Sequence, residues 1–228
     1  VEEGQRVQFS SDGRRAAVFG SGTRPQLFDL TTGKNYAQLR YQQTAIVEAQ
    51  FSADGRRAIT IHKSSDSDGE GAAQVACIWN VTEGSFVAVM AEKKGSIRQV
   101  VQSPDGKLVV TMTDTGTASL WDIDSGRKLA VLDDDDENEE GKTKLAFGQS
   151  GRHVLIRNPS SLGVFELPSG RQVQLSGTIG TLQDASFSPS GLYLATVSTD
   201  GTVRFWVTAT GQQVGVINQG GNPITDAQ

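Results

Sequence analysis

The hydrophobic positions of this chain run in short alternating bursts, each cut off by a polar turn. RRAITIH (56–62), LVVTMT (108–113) and LYLATVS (192–198) have the length of single strands and are rich in β-branched residues. No window of helical period competes with them. Between the bursts two turn motifs alternate five times. The opening motif reads FSSDG (9–13), FSADG (51–55), QSPDG (102–106), FGQSG (147–151) and FSPSG (187–191). The closing motif reads FDLTTG (28–33), WNVTEG (79–84), WDIDSG (121–126), FELPSG (165–170) and WVTATG (206–211). In every closing motif the aromatic precedes the glycine by five positions. Asp-Gly and Ser-Gly pairs build tight turns, because glycine takes positive φ and the short polar side chain bonds back to the backbone. Each unit therefore reads as strand, opening turn, strand, loop, strand ending in an aromatic, closing turn, strand.

Four strands in a repeat of roughly 40–50 residues make the blade of a β-propeller. The blades fall at about 1–44, 45–95, 96–142, 143–180 and 181–221. Trp121-Asp122 is a WD dipeptide, and Phe28-Asp29, Trp79-Asn80, Phe165-Glu166 and Trp206-Val207 are degenerate versions of it. Over essentially its whole length the chain resembles the WD40-repeat family. That resemblance implies an all-β propeller of five four-stranded antiparallel blades. Phe28, Trp79, Trp121, Phe165 and Trp206 share one place before each closing turn, which assigns them to packing between successive blades. One departure stands out. The family's Gly-His dipeptide occurs in no repeat, the two histidines being His62 and His153. Its histidine-centred hydrogen-bond tetrad cannot be assembled, which leaves blade stability to packing of aromatic and aliphatic side chains. Repeats loosened in this way are similar to bacterial WD40 arrays. The similarity implies an effector such as a signalling ATPase, kinase or caspase-like domain, in the same or another chain.

The spacing also speaks to ring size. Closing glycine and next opening motif lie 18, 18, 21 and 17 residues apart, which places a sixth opening aromatic near position 229. Residues 222–228 accordingly read as the first strand of a further blade, and the five blades as part of a larger ring. A closed five-bladed ring is the alternative.

Charge changes the picture locally. The net charge is −5, yet seven acids fall in DDDDENEE (133–140), and the other 19 acids face 21 bases. A second insertion, KSSDSDGEGAAQ (63–74), delays Trp79 to 24 residues after Gly55, where the other blades allow 14 or 15. Propeller connectivity places both insertions on one face, where functional loops gather on a rigid scaffold. Asp66, Asp68, Glu70, Asp133, Asp134, Asp135 and Asp136 are therefore the candidate contacts for a protein partner, a basic one by charge. The bland alternative is a solubilising loop with no partner. The opposite face carries Arg14, Arg15, Lys34, Arg56, Arg57, Lys107, Arg127, Lys128, Arg152 and Arg171, read as solvated turn positions. Aromatic residues are not interleaved among them for base stacking, so nucleic acid is not expected.

Candidate chemistry is thin. Aligned as a calcium loop, DSDGEG (66–71) puts Cys77 where the chelating glutamate belongs, so no metal is expected. Gly141-Lys142-Thr143 imitates the end of a phosphate-binding loop, but the required earlier glycine is Asp136. No nucleophile elbow, zinc motif or cysteine–histidine cluster is present. Neither catalytic residues nor a cofactor are expected. A lone cysteine, Cys77, in an apolar run excludes an internal disulfide. No apolar stretch approaches the roughly 20 residues of a membrane helix, and the first residues do not read as a signal peptide. The reading is a cytoplasmic, non-enzymatic scaffold or sensor module of a larger protein. An enzyme with a central-channel site, or a purely structural propeller fragment, are the alternatives.

Overall fold

The computed structural model describes residues 6–20, 26–38, 46–63, 74–134, 143–158, 161–177 and 181–218. Twenty strands among them form five four-stranded antiparallel sheets, each in sequence order. The first sheet holds β1 Arg6–Phe9, β2 Arg15–Phe19, β3 Gln26–Asp29 and β4 Lys34–Gln38. The second holds β5 Ile46–Phe51, β6 Arg57–Lys63, β7 Gln74–Asn80 and β8 Ser85–Met90. The third holds β9 Ile97–Gln102, β10 Leu108–Thr113, β11 Thr117–Asp122 and β12 Lys128–Asp134. The fourth holds β13 Lys144–Phe147, β14 His153–Arg157, β15 Leu162–Glu166 and β16 Arg171–Gln172. The fifth holds β17 Leu182–Phe187, β18 Tyr193–Ser198, β19 Thr202–Val207 and β20 Gln213–Asn218. The stretch 222–228, read as the start of a further blade, lies outside the described residues.

The opening turns show why the S-x-D-G sequence folds as it does. In the second blade Ser52 Oγ donates to Asp54 Oδ1 (2.6 Å) and accepts from the Arg57 amide (2.9 Å), while Asp54 accepts from the Arg56 amide (2.9 Å). Gly55 closes the turn at φ +66°. The same bonds recur from Ser10 and Asp12, and from Ser103 and Asp105. Ser52 is buried, so Ser52→Ala leaves the Arg57 amide short of its side-chain acceptor. The expected cost is about 1–2 kcal/mol, read as a lower denaturation midpoint.

Successive blades pack face to face. Four apolar clusters hold the stack, one at each interface. The second to fifth blades each send their closing aromatic towards the blade before. Trp79 packs with Ala17, Phe19 and Leu27 of the first blade, Trp121 with Ile59 and Ile78, Phe165 with Val110 and Leu120, and Trp206 with Leu155 and Val164. The side facing the preceding blade is called the leading face below, and the other the trailing face. The opening turns also stack. Arg15 Nη1 donates to the Gly55 carbonyl of the next turn (2.7 Å), and a Cβ on Gly106 would sit 3.4 Å from that of Ser52.

Packing is not the whole of blade stability, and here the structure corrects the sequence reading. Each buried tryptophan donates from its indole nitrogen to a buried threonine on the second strand. The distances are 2.7 Å for Trp79–Thr60, 2.8 Å for Trp121–Thr111 and 3.1 Å for Trp206–Thr196. The register explains the match. Trp121 lies opposite Val109 and reaches diagonally to Thr111, two residues along; Trp79 and Trp206 do the same from opposite Ala58 and Leu194. In blade two the chain of bonds continues to His62, whose Nε2 lies 2.6 Å from Thr60 Oγ1. So three blades hold a buried tryptophan–threonine hydrogen bond without the Gly-His motif.

Candidate functional site

In every sheet the opening and closing turns share one end. The loop after the second strand and the linker after the fourth therefore emerge at the other end. Because the opening turns stack from blade to blade, that other end is common to neighbouring blades. Lys63 and Gln74, which bound the first acidic insertion, and Asp134 and Lys144, which bound the second, all lie there. The two insertions thus spring from the same end of adjacent blades. Residues 64–73 and 135–142 lie outside the described residues, and with them Asp66, Asp68, Glu70, Asp135 and Asp136.

Asp133 and Asp134 are described, as the last residues of β12. Asp134 lies opposite Thr117 and accepts from its hydroxyl (2.8 Å), and the half-buried Asp133 lies opposite Ala118. This pins the start of the acidic run to the third blade. The same end carries the Thr113–Gly116 turn, where Asp114 accepts from the Ser96 amide (2.7 Å) and from Arg98 Nη2 (3.4 Å). It also carries Lys93 and Lys94, both exposed, in the linker between β8 and β9. Sequence reasoning did not place these two bases beside the acids. The signal was available, since that linker follows a fourth strand. Among the described residues this end therefore carries Asp114, Asp133 and Asp134 together with Lys93 and Lys94.

At the turn end several bases have structural work. Arg15 holds the next turn, Arg57 pairs with Asp124 of the third blade (2.8 Å), and Arg171 pairs with Glu166 (2.7 Å). Lys128 sits 4.7 Å over the Trp121 ring and pairs with the buried carboxylate of Glu92 (2.5 Å). These four are not simply solvated turn residues. Arg14, Arg56 and Lys107 are exposed. Asp12 is held below the usual carboxylate range by the Ser10 hydroxyl and the Arg14 amide, so it stays charged beside them. Asp54 is lowered as well, since the bonds from Ser52 and Arg56 outweigh the opposing effect of desolvation.

The first strands of the blades carry balanced charge. Arg6 reaches the Val47 carbonyl (3.2 Å), Glu48 accepts from Gln50 (2.6 Å), and Lys144 pairs with Asp184 (3.0 Å). Between the first two blades lies an open groove of about 910 Å³, bordered by Arg6, Gln8, Phe19, Glu48, Gln50 and Phe51. Among the described residues that line it, Glu48 is the one carboxylate, and no histidine accompanies it. His62 and Cys77 are both buried in the second blade. Burial depresses His62 to about 4 and pushes the Cys77 thiol up to about 12, so both are uncharged near neutral pH. Among the described residues no cluster of three His, Cys, Asp or Glu could hold a metal ion, and no helix is long and apolar enough to cross a membrane.

Five stacked four-stranded sheets with turns at one end and linkers at the other define a β-propeller repeat protein. Comparison with known proteins finds similarity to one repeat family. The WD domain, G-beta repeat family (WD40) matches residues 172–207. Pre-mRNA-processing factor 19 homolog 2 of Arabidopsis thaliana is 26% identical over 197 residues, covering 83% of this chain and 35% of that protein. Telomerase protein component 1 of Rattus norvegicus is 26% identical over 202 residues, covering 88% of this chain and 7% of that protein. Small ribosomal subunit protein RACK1y of Oryza sativa subsp. japonica is 27% identical over 139 residues, covering 57% and 40%. Among solved structures, the β-propeller domain of Cps50 (Swd1) from Myceliophteria thermophila superposes with a TM-score of 0.56 at 15% identity, covering 91% of this chain and 66% of that one. Together these matches support a WD40-repeat family for this chain. The chain spans about a third of the length of the first of these relatives and far less of the second.

Proposed function

We propose that this propeller is a protein-interaction scaffold that binds a basic partner segment at the end of the second and third blades opposite the turns. What carries the reading is the common origin of the two acidic insertions. The strand ends at Lys63, Gln74, Asp134 and Lys144 lie together on neighbouring blades. A scaffold role in general follows from the WD40 relatives; the acidic face, a sensor role and coupling to an effector domain are the finer proposal. Stacked blades hold such a surface rigid, so little ordering entropy opposes binding. Lys93 and Lys94, in the linker between the second and third blades, favour a segment whose bases flank an acidic or neutral position. We place the module in the cytoplasm, a reading supported by its lone, buried, free thiol at Cys77.

The test uses a fluorescent lysine-rich peptide and three charge-neutralised variants. One changes Asp66, Asp68 and Glu70 to their amides, one changes Asp133 to Asp136, and one combines them. Each single set should weaken binding by about ten-fold at low salt, and raising the salt should shrink the difference. If the segments form one site, the combined loss falls short of the product of the two single losses. Unchanged affinity in the combined variant would sink the proposal. Independent, multiplicative losses would split the site in two.

A further inference from the structure

The acidic run at 133–140 grows out of a strand whose outer edge is open. β12 is the outermost strand of the third sheet, and among the described residues β11 is the one strand that pairs with it. It is also the longest outer strand, with seven residues against five, six, two and six in β4, β8, β16 and β20. Ala130 and Leu132 turn to the trailing face, where they pack against the fourth blade. Leu129 and Val131 alternate with them and are 38% and 51% exposed. The ladder with β11 shifts register twice, but Ala130 and Val131 between the shifts stay directly opposite Leu120 and Ser119, so the middle of the strand is regular.

An open edge presents unpaired backbone groups, which proteins commonly guard with a free lysine, a proline or a very short strand. β16 has the short length. β12 has no proline, and its lysine is engaged: Lys128 pairs with Glu92 and lies over Trp121. Among the described side chains one other outer strand, β20, exposes two or more apolar residues: Val214, Val216 and Ile217. β20 carries no charged residue, so nothing on it selects a partner. β12 instead ends on Asp133 and Asp134 and leads into the acids of 135–140. The Asp134 carboxylate is held there by the Thr117 hydroxyl at 2.8 Å.

We propose that the outer edge of β12 takes up an extended peptide of the basic partner as an added antiparallel strand, with the peptide's bases N-terminal to apolar residues at alternate positions. The antiparallel direction follows from the greater stability of that ladder. It sets the first residues of the peptide beside the C-terminal end of β12, where Asp133 and Asp134 stand, and the later ones beside Val131 and Leu129. Backbone hydrogen bonds then supply affinity, while the acids and the exposed apolar pair supply selectivity. The inference rests on the acidic-face reading and adds to it the conformation and direction of the partner segment.

The test titrates the 228-residue chain with a fluorescent probe peptide of about ten residues, two lysines followed by alternating threonine and valine. Two further versions carry N-methyl groups on alternate residues, one on the odd positions and one on the even. The N–H groups of an added strand alternate between facing the sheet and facing away. One version should therefore lose at least about ten-fold in affinity and the other little. A peptide with its lysines last should also bind about ten-fold more weakly. Val131→Lys, at an exposed position, should weaken binding by about ten-fold, and Val216→Lys on β20 should leave it unchanged. If the probe binds in a salt-sensitive way but both N-methyl versions lose equally, strand addition is overturned and the acidic face stands. Equal affinity for the two lysine orders overturns the proposed direction, and an equal loss at Val216→Lys overturns the choice of β12. Binding indifferent to salt and to neutralising Asp133 to Asp136 overturns the acidic-face reading, and this inference with it.

Discussion

Trp121→Phe is expected to destabilise the chain by about 2–3 kcal/mol, and Thr111→Val by about 1–2 kcal/mol. The double variant should cost clearly less than the sum. Trp121→Phe leaves the Thr111 hydroxyl, 0% exposed, without its indole donor. Thr111→Val leaves the indole N–H facing a methyl group. A buried polar group without a partner carries its full desolvation penalty, whereas a matched apolar pair carries none. The chain already contains the apolar version. The first and fourth blades pair Phe28 with Val18 and Phe165 with Ile156, at the same diagonal register. Urea titrations followed by circular dichroism give the four stabilities of the cycle. A coupling energy near zero would falsify the hydrogen-bonded account and return stability to packing alone.

Lowering the pH from 7 to 4 should remove about 3 kcal/mol of stability through His62 alone, before most carboxylates titrate. Buried His62 binds a proton only near pH 4, against 6.5 for a free imidazole. Between those values the unfolded chain takes up the proton and the folded chain does not, so stability falls as the pH falls. Above 6.5 both states are neutral and the contribution is complete; below about 4 both are charged and nothing further is lost. The geometry supplies the reason. Thr60 Oγ1, which accepts from Trp79, lies 2.6 Å from His62 Nε2 in the interior of the second blade, so a charged imidazolium would be held there away from water. His62→Gln keeps an acceptor and removes the titration. Its stability should be flatter between pH 6.5 and 4, with a smaller slope of the same sign left by His153, which burial also depresses. The carboxylates Asp12, Asp54 and Asp200 are held below 3.8 and act in a separate, more acidic window. A variant with the parent's slope would remove His62 from the account. His62 lies one residue before Lys63, where the first acidic insertion begins, so acid should loosen that anchor early.

Much of this architecture was legible in the sequence because it is local. A turn glycine at φ +65° to +71° and an aromatic five residues before the closing glycine need only neighbours in the chain. The strand count and order followed from those punctuation marks. Contacts across strands were less legible. That Trp121 meets Thr111 depends on a diagonal in the ladder, which no single segment displays. A trace was nevertheless present: threonine stands five positions after the opening glycine in the three tryptophan blades, and valine or isoleucine in the two phenylalanine blades. The roles of Arg15 and Arg57 depend on the stacking of one blade on the next, which turn composition does not encode. Of the seven acidic candidates, the structure describes Asp133 and Asp134. Lys93 and Lys94, at the same end of the blades, became visible only when strand direction was traced through the linker.

The closing glycines carry a consequence for how such a chain can drift over time. At Gly126 even one added carbon would lie 2.1 Å from Ala88 Cβ, and at Gly211 it would lie 1.9 Å from the Gln174 carbonyl oxygen. These glycines act as spacers that set how closely two blades approach, quite apart from the turn they make. Gly33 makes the same turn and touches nothing, so only its backbone conformation restrains it. Tolerance to substitution is therefore a property of each glycine's place in the stack. Equal-looking letters in a repeat alignment would accept change at different rates, and the position that accepts it most readily would mark a blade face with nothing against it.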